Sequence, residues 1–229
     1  MASDGFEMRV ELVRGGAVSA AVALPSTHRP GRTPVVILAH GAGTDRRHPS
    51  LVRLQEGLRD AGWPTVVFNF PYREAGKRVP DARPVLENCW RAVIDAVRAE
   101  PRLAPPWIVI GGRSMGGRIA SHVAADGADV RGLVFVAFPL HAAGRPGTER
   151  AAHLARIRAP MLFVQGTRDA LADRTLLRGV LADLPLATLH EIADADHSFR
   201  VPRPSGRDDA SVRGEIVLTI TEWLDNLLD

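Results

Sequence analysis

The sequence predicts an α/β fold in which a mostly parallel sheet of eight strands carries helices on both faces. Short apolar runs rich in β-branched residues, such as Val35–His40 (VVILAH), are typical of buried parallel strands. Apolar residues three or four positions apart, as in Leu86, Trp90, Val93 and Val97, indicate amphipathic helices. The two patterns alternate through most of the chain, and such alternation requires a parallel sheet covered on both sides.

The length and composition fit one globular domain over residues 1–229, with about the first six residues flexible. The chain has 229 residues, of which 45% are hydrophobic and 24% are charged. No apolar run approaches the ~18 residues of a membrane span, and the N-terminus lacks the hydrophobic core of a signal peptide. Cys89 is the only cysteine, which excludes an internal disulfide. We therefore expect a cytoplasmic protein with no membrane partner.

The basic residues do not indicate nucleic-acid binding. The net charge is +3, and all of the 29 basic residues except Lys77 are arginine. The arginines are scattered among 26 acidic residues, whereas a nucleic-acid surface needs them clustered on one face. We expect no nucleic-acid partner, and the sequence indicates no particular oligomeric state.

The predicted elements follow in order along the chain. Met8–Val13 and Ala17–Leu24 form an antiparallel hairpin turned at Arg14-Gly15-Gly16. The other predicted strands are Val35–His40, Thr65–Phe70, Trp107–Gly111, Gly132–Phe138, Met161–Gly166 and Ala187–Ile192. The predicted helices include one from about Leu51 to Gly62, one within Pro80–Glu100, Ser114–Ala125, one through Leu177–Leu184 and one through Ile216–Leu227. Such sheets bind ligands in the loops at the carboxyl ends of their strands.

The strongest candidate for chemistry is Gly112-Arg113-Ser114-Met115-Gly116, a G-x-S-x-G pattern. It follows a predicted strand and opens a predicted helix, as a nucleophile elbow does. The tight turn strains the serine backbone, and small flanking residues avoid clashes there. Ser114 is therefore the candidate nucleophile, and an incidental serine in a glycine-rich turn is the alternative.

A serine hydroxyl needs a positioned base, and elbow hydrolases supply an acid and then a histidine from later loops. Asp169 follows the strand Met161–Gly166 and is the candidate acid, while His197 follows the last strand and is the candidate base. Asp173 is the rival acid, although it falls at the next helix. His190 is the rival base, although it lies inside a strand pattern.

The loop His40-Gly41-Ala42-Gly43, which follows the strand VVILA, is the candidate oxyanion loop. The intermediate of acyl transfer carries an oxyanion, and backbone N–H groups are its usual donors. We expect these donors to be the N–H groups of Ala42 and of Met115, the residue after the nucleophile. We expect His40 to orient the loop rather than to transfer protons.

From about Val10 to Leu227 the chain resembles the α/β-hydrolase superfamily. The matching stretches are Leu38–Gly43 (LAHGAG), Gly111–Arg118 (GGRSMGGR), Phe138–His141 (FPLH), Phe163–Asp169 (FVQGTRD) and Asp196–Phe199 (DHSF). More narrowly, the chain is similar to small dienelactone-hydrolase-like proteins, a branch that includes testis-expressed protein thirty and a subunit of the non-specific-lethal chromatin complex.

The resemblance implies an α/β-hydrolase fold, a Ser114–His197–Asp169 triad and an oxyanion hole at Ala42 and Met115. Enzymes named dienelactone hydrolase usually carry cysteine where Ser114 stands, so their substrate is not implied. The predicted function is cofactor-free hydrolysis of an ester or related acyl bond in a small molecule, through an acyl-enzyme on Ser114. The alternative is a non-catalytic interaction module on the same fold.

The remaining candidates concern access and substrate binding. Only about twenty residues separate the strands Gly132–Phe138 and Met161–Gly166, which leaves no room for a cap domain and predicts an open site. The segment Arg200–Asp209 is expected to form one wall.

A metal site made of His141 and His153 would lack a third ligand, so no metal is expected. Five arginines near the predicted loops could bind an anion, but pairing with acids or exposure to solvent is the simpler expectation; they are Arg46, Arg47, Arg73, Arg113 and Arg200.

Overall fold

Eight strands form one sheet in the computed structural model, which describes residues 5–228. They are β1 (Phe6–Glu11), β2 (Ala17–Ala23), β3 (Val35–Ala39), β4 (Thr65–Phe68), β5 (Ile108–Arg113), β6 (Gly132–Val136), β7 (Met161–Gly166) and β8 (Ala187–Ile192). Their order across the sheet is β1-β2-β4-β3-β5-β6-β7-β8. β2 pairs antiparallel with both β1 and β4, and all other neighbours are parallel, so the predicted fold class is confirmed.

Helices cover both faces of the sheet. The α-helices of the described chain are α1 (Pro49–Asp60), α2 (Pro71–Glu74), α3 (Arg83–Ala99), α4 (Met115–Ala125), α5 (Arg174–Ala182) and α6 (Asp209–Asp225). The buried residues of α3, α4 and α5 form one core with one face of the sheet, and those of α1 and α6 form a second core with the other face.

The central strand β3 shows why a parallel strand has a continuous apolar sequence. Val35, Ile37 and Ala39 belong to the core beneath α3 and α4, whereas Val36 and Leu38 belong to the core beneath α1 and α6. All five residues are fully buried. Because successive side chains point to opposite faces, a strand covered on both sides needs apolar residues at every position.

Several strands end earlier than the sequence predicts. β3 ends at Ala39 rather than His40, β4 ends at Phe68 rather than Phe70, and β6 ends at Val136 rather than Phe138. The end of β4 shows one cause: the backbone N–H of Phe70 donates to Nε2 of His40 instead of to a neighbouring strand. The apolar pattern thus continues into loops that are themselves buried.

The first strand is shifted toward the N-terminus. β1 spans Phe6–Glu11 instead of Met8–Val13, because Leu12 already belongs to the turn and its N–H donates to the carbonyl of Gly16 at 3.0 Å. Residues 1–4, which belong to the segment expected to be flexible, lie outside the described residues, while Phe6 is part of the strand.

Strand β1 also forms an outer edge of the sheet. Its apolar residues face the α3 side, and its charged side chains alternate with them on the solvent side. The charged residues are Glu7, Arg9 and Glu11, all of which are exposed.

No cap domain interrupts the sheet. Between β6 and β7 the chain forms only loops and two single turns of 3-10 helix, Glu149–Ala151 and Leu154–Arg156. Within residues 5–228, no helix has the length and apolar character needed to cross a bilayer.

Two buried histidines stack on each other, His122 on α4 and His153 in the connection between β6 and β7. The rings of His122 and His153 stack with 3.6 Å between their centroids, and both residues are less than 10% exposed. Nε2 of His153 lies 2.7 Å from Oγ of Ser121, whose hydroxyl donates to the carbonyl of Arg118. Burial lowers the pKa of His122 to about 4 and that of His153 to about 3, so both rings are neutral at pH 7.

We expect the free energy of unfolding to fall as the pH decreases from 6.5, the ordinary histidine pKa, toward about 4. In this range the unfolded chain protonates His122 and His153 while the folded chain keeps them neutral, so acid favours unfolding. Each histidine in this position adds a slope of about 1.4 kcal/mol per pH unit.

Urea titrations at several pH values between about 8 and 4.5 measure the slope. The variant His153→Phe keeps an aromatic ring against His122 but removes one titrating group, so its slope should be smaller by about one proton. An identical slope in the two proteins would show that this pair is not the cause.

Candidate active site

The turn from β5 into α4 holds Ser114 in a strained backbone conformation. Ser114 has φ of 49° and ψ of −116° and is the N-cap residue of α4. Its N–H donates to the carbonyl of Val136 at 2.9 Å, and its carbonyl accepts from the N–H of Arg118 at 3.1 Å. A positive φ is rare for a residue with a side chain and occurs where the surrounding structure enforces it. The strain turns the serine out of the strand at the start of the helix.

The glycines of the elbow are required by the neighbouring strand β3. A Cβ atom on Gly116 would lie 2.4 Å from the carbonyl oxygen of Ala39, and one on Gly112 would lie 2.2 Å from the same atom. Gly112 also has φ of 143°. No larger residue fits at either position. The two glycines of the G-x-S-x-G pattern are therefore required because the elbow backbone lies so close to the backbone of β3.

Hydrogen bonds join Ser114, His197 and Asp169 in a chain. Nε2 of His197 lies 3.0 Å from Oγ of Ser114, and Nδ1 lies 2.7 Å from Oδ2 of Asp169. One neutral tautomer satisfies both contacts: Nδ1–H donates to the carboxylate, and Nε2 accepts from the serine hydroxyl. The His197 side chain is 24% exposed and that of Asp169 is buried, so this hydrogen-bonded series runs from the interior toward the surface.

The carboxylate of Asp169 is fully buried and has a full set of donors. Oδ1 accepts from the N–H of Leu171 at 2.8 Å, and Oδ2 accepts from Nε2 of Gln165 as well as from His197. A buried charge is tolerated when such donors replace its water. Sequence analysis missed Gln165, although a polar residue in the apolar run of β7 was a usable signal.

The rival acid and the rival base lie elsewhere. The side chain of Asp173 caps the N-terminus of α5 by accepting from the N–H of Leu176 at 2.9 Å. Nε2 of His190 lies 2.8 Å from Oε1 of Glu215 on α6. Neither residue forms a side-chain hydrogen bond with Ser114, His197 or Asp169.

The histidines considered as metal ligands have other partners. Nε2 of His141 accepts from the N–H of Asp173 at 2.8 Å, while His153 stacks on His122. Among residues 5–228, no group of three or more His, Cys, Asp or Glu side chains is arranged to hold a metal ion.

His40 organises the loop after β3. Burial lowers the pKa of its ring to about 4, so the ring is neutral at pH 7. Nε2 accepts from the N–H of Phe70 at 3.2 Å, which leaves the proton on Nδ1 to donate to the carbonyl of Gly41 at 2.9 Å. The hydroxyl of Thr44 donates to the same carbonyl at 2.9 Å. His40 therefore holds the loop, as the sequence predicts.

This arrangement orients the N–H of Ala42. In a trans peptide, the C=O of one residue and the N–H of the next point in opposite directions. Because the Gly41 carbonyl faces the donors of His40 and Thr44, the N–H of Ala42 points away from them. Among the described residues, neither this N–H nor that of Met115 has a hydrogen-bond acceptor, and both residues line the cleft that contains Ser114.

The cleft at Ser114 has a volume of about 340 Å³. Its apolar lining includes Leu86, Ile119 and Leu171. Its charged lining was missed by the sequence analysis and consists of Arg83, Arg118, Arg150 and Asp81. Arg118 was within reach of sequence reasoning, because it lies four residues after Ser114 on the same helix and therefore on the same helical face.

Three of the arginines that the sequence singled out have structural partners or face solvent. Arg46 is buried and pairs with Glu7 at 2.9 Å. Arg73 lies 3.4 Å from Asp45. Arg47 is exposed.

The other two arginines line a second cleft. Arg113 and Arg200 contribute to a space of about 330 Å³ between α1 and α6, and Ser114 does not line it. The guanidinium of Arg113 also donates to the carbonyl of His197 at 3.0 Å.

The segment Arg200–Asp209 contributes its two end residues to this second cleft. The expectation that the segment walls the cleft at Ser114 is therefore wrong, because the tight turn at Asp196–Arg200 leads the chain toward α6.

The pair Ser121–His153 is a second contact between a serine and a histidine. Ser121 is fully buried inside α4, and its hydroxyl already donates to a backbone carbonyl. Among the described residues, no carboxylate accepts a hydrogen bond from His153. This pair supports packing behind α4 and presents no hydroxyl to a cleft.

The chain is similar in fold to several solved hydrolases. A protein from Xanthomonas campestris, described as a member of the α/β serine hydrolases without a lid, is 22% identical with a TM-score of 0.73 over 97% of this chain and 96% of that one. Dienelactone hydrolase from Anabaena variabilis is 19% identical with a TM-score of 0.77 over 99% of both chains. Est1E from Butyrivibrio proteoclasticus, with ferulic acid bound, is 15% identical with a TM-score of 0.77 over 96% of this chain and 99% of that one.

At these identities, the similarity establishes a shared fold. A family model described as "Alpha/beta hydrolase domain" matches residues 32–225, which include β3 to β8 and all six helices. The chain therefore belongs to the α/β-hydrolase domain family.

Proposed function

We propose that the protein is a serine hydrolase that cleaves an ester or related acyl bond of a small molecule, with a carboxylic ester as the first expectation. The observation that carries the proposal is the hydrogen-bonded series Asp169–His197–Ser114. It ends at a strained serine, in a cleft where no described residue accepts from the N–H groups of Ala42 and Met115. These parts serve acyl transfer together.

In the proposed mechanism, Ser114 is the nucleophile. His197 takes the hydroxyl proton on Nε2 as Oγ forms a bond to the substrate carbonyl carbon. The imidazolium that results is stabilised by Asp169, whose carboxylate accepts from Nδ1–H. His197 then gives its proton to the leaving alcohol, the bond to the alcohol breaks, and an acyl-enzyme remains on Ser114.

Water completes the reaction. His197 removes a proton from a water molecule that attacks the acyl carbon, and the same proton returns to Oγ of Ser114 as the acid leaves. In both steps the carbonyl oxygen becomes an oxyanion, which the N–H groups of Ala42 and Met115 would hold. Because the Ala42 donor is oriented by Gly41 and His40 before substrate arrives, little reorganisation is needed during the reaction.

The alternative is an interaction module that keeps the fold without the chemistry. The strained φ of Ser114 and the fully bonded Asp169 speak against it, since binding a partner requires neither feature. Local strain of this kind costs on the order of 1–3 kcal/mol and is concentrated at functional sites. The solved neighbours named as esterases or hydrolases also favour the enzyme.

The finer placement among small dienelactone-hydrolase-like proteins rests on the motifs that surround Ser114 and His197. It is supported by the similar fold of the Anabaena variabilis dienelactone hydrolase. Serine in place of the usual elbow cysteine separates the proposed chemistry from that of the named dienelactone hydrolases.

Labelling with a fluorophosphonate tests the enzyme against the interaction module. The reagent forms a bond from Oγ to phosphorus and releases fluoride, and it requires both the base and the oxyanion donors. We expect one label per chain at Ser114, none in Ser114→Ala, and slow labelling in His197→Ala. Ser198→Ala, which removes an exposed hydroxyl next to the histidine, is the matched control and should label fully. A folded wild-type protein that resists the reagent would favour the interaction module.

Hydrolysis of aryl esters gives a second test of Ser114. The variant Ser114→Ala should lose activity on the order of 10³-fold while it keeps its fold, because the hydroxyl reacts but contributes little to packing. Initial rates with purified protein measure the loss, and circular dichroism checks the fold. A variant that keeps most of its activity would rule out Ser114 as the nucleophile.

The acid is tested by two matched substitutions. Asp169→Asn should greatly reduce kcat, because an amide no longer stabilises the imidazolium and favours the wrong tautomer of His197. Asp173→Asn should leave kcat nearly unchanged, since asparagine also caps a helix well. If the two variants behaved in the opposite way, the proposed acid would be wrong.

A further inference from the structure

Three arginines converge on the cleft that contains Ser114. They come from separate parts of the chain: Arg83 begins α3, Arg118 lies in the first turns of α4, and Arg150 lies in the segment between β6 and β7. They share this lining with Ala42 and Met115, the residues proposed to hold the oxyanion. Positive charge is therefore concentrated along the cleft that contains Ser114.

Arg118 is the best placed of the three. It lies one turn into α4, and its backbone N–H donates to the carbonyl of Ser114, the N-cap residue, at 3.1 Å. The side chain is half-buried, and its guanidinium makes no hydrogen bond with any described residue. A guanidinium that is partly removed from water and has no partner in the protein is available to bind an anion.

The carboxylates near the cleft do not balance the arginines. Glu87 lies 3.1 Å from Arg83 and accounts for that charge. Asp81 lines the cleft, but it forms no salt bridge with a described residue. Arg150 donates to the carbonyl of His141 and, like Arg118, has no carboxylate within salt-bridge distance in the described chain.

The environment of Arg118 is also electrostatically unfavourable without a further anion. Burial lowers the pKa of its guanidinium, and the positive charges of Arg150 and Arg83 lower it further. An anion placed between these groups would relieve the repulsion and replace the lost hydration.

We infer that the substrate carries a negatively charged group beside the scissile ester, and that Arg118, together with Arg150, binds it. A carboxylate is the simplest group that matches the two-pronged guanidinium. This inference rests on the proposed function, because it assigns the substrate class of the same cleft. Arg118 acts as a specificity residue that contacts the charged group rather than the bond that is cleaved.

Two pairs of esters test the inference. In the first pair the charge lies on the acyl side: 4-nitrophenyl hydrogen adipate is compared with its neutral methyl ester. In the second pair the charge lies on the alcohol side: 4-acetoxybenzoate is compared with methyl 4-acetoxybenzoate. For each pair, the ratio of kcat/KM for the charged ester to that for the neutral ester is measured in wild type, Arg118→Gln, Arg118→Lys and Arg14→Gln. Arg14 is an exposed arginine in the β1–β2 turn, outside the cleft, and serves as the charge-matched control.

In at least one pair we expect Arg118→Gln to lower this ratio on the order of tenfold, the effect of losing a charge-assisted hydrogen bond. Arg118→Lys should recover part of the ratio, because lysine keeps the positive charge but cannot form the bidentate hydrogen bond of a guanidinium group. Arg14→Gln should leave the ratio unchanged. Comparing ratios across variants cancels the difference in intrinsic reactivity between the two esters. If wild type and Arg118→Gln had equal ratios in both pairs, the inference would be overturned while the proposed hydrolase stood.

Binding of the adipate dianion separates failure of the inference from failure of the proposed function. Calorimetric titration at low salt should detect adipate binding to wild type and to Arg14→Gln, and at least tenfold weaker binding to Arg118→Gln. If no ester were hydrolysed but this binding pattern held, the anion site would stand without the catalysis. If neither hydrolysis nor binding were found, both proposals would be rejected.

Discussion

The close approach of β3 and β5 is the constraint on which the site depends. Ala39 pairs with Gly112 in the sheet, and the Ala39 carbonyl leaves no room for a side chain on Gly112 or Gly116. Because the two strands are parallel and in this register, their carboxyl ends deliver the Ser114 turn and the His40 loop to the same place. The packing of α4 against the sheet, with Ile119 and other residues fully buried, offsets the strain of about 1–3 kcal/mol at the serine.

Two polar groups are buried near the serine, and the protein accommodates them in opposite ways. His40 is buried as a neutral ring. Its Nδ1 donates to the carbonyl of Gly41, and its Nε2 accepts from the N–H of Phe70. Asp169 is buried as a carboxylate surrounded by donors from Leu171, Gln165 and His197. The first solution fixes a backbone loop, and the second fixes the ring of His197. Both rely on complete hydrogen bonding, because an unpaired polar group would destabilise the fold.

The sequence predicts the parts of the site that depend on local geometry. The elbow is local, since strand, turn and helix are consecutive and only glycine fits two positions before and two positions after Ser114. The chain order of Ser114, Asp169 and His197, each just after a strand, likewise brings them to one edge of a parallel sheet. The strand pattern was also sufficient for the eight-stranded sheet, with errors of one or two residues where buried loops continue an apolar run and at the β1–β2 turn.

The features that the sequence did not reveal depend on distant parts of the chain. Arg83 and Arg150 reach one cleft from a helix start and a long connection, and no spacing in the sequence links them. The five arginines chosen for their closeness to catalytic loops do not line the cleft at Ser114, because closeness along the chain says little about where a side chain points. Gln165 carries a weak signal, since a single polar residue in an apolar strand has many possible explanations.

The charged outer face of β1 has a consequence for the behaviour of the protein at high concentration. An edge strand exposes unpaired backbone groups that can recruit a strand from another molecule and start aggregation. On β1, a strand docking in this way would have to desolvate Glu7, Arg9 and Glu11. Glu7 is also tied by an ion pair to Arg46, so its side chain is less free to move aside. The alternation of apolar and charged residues on β1 thus protects this edge of the sheet from intermolecular pairing.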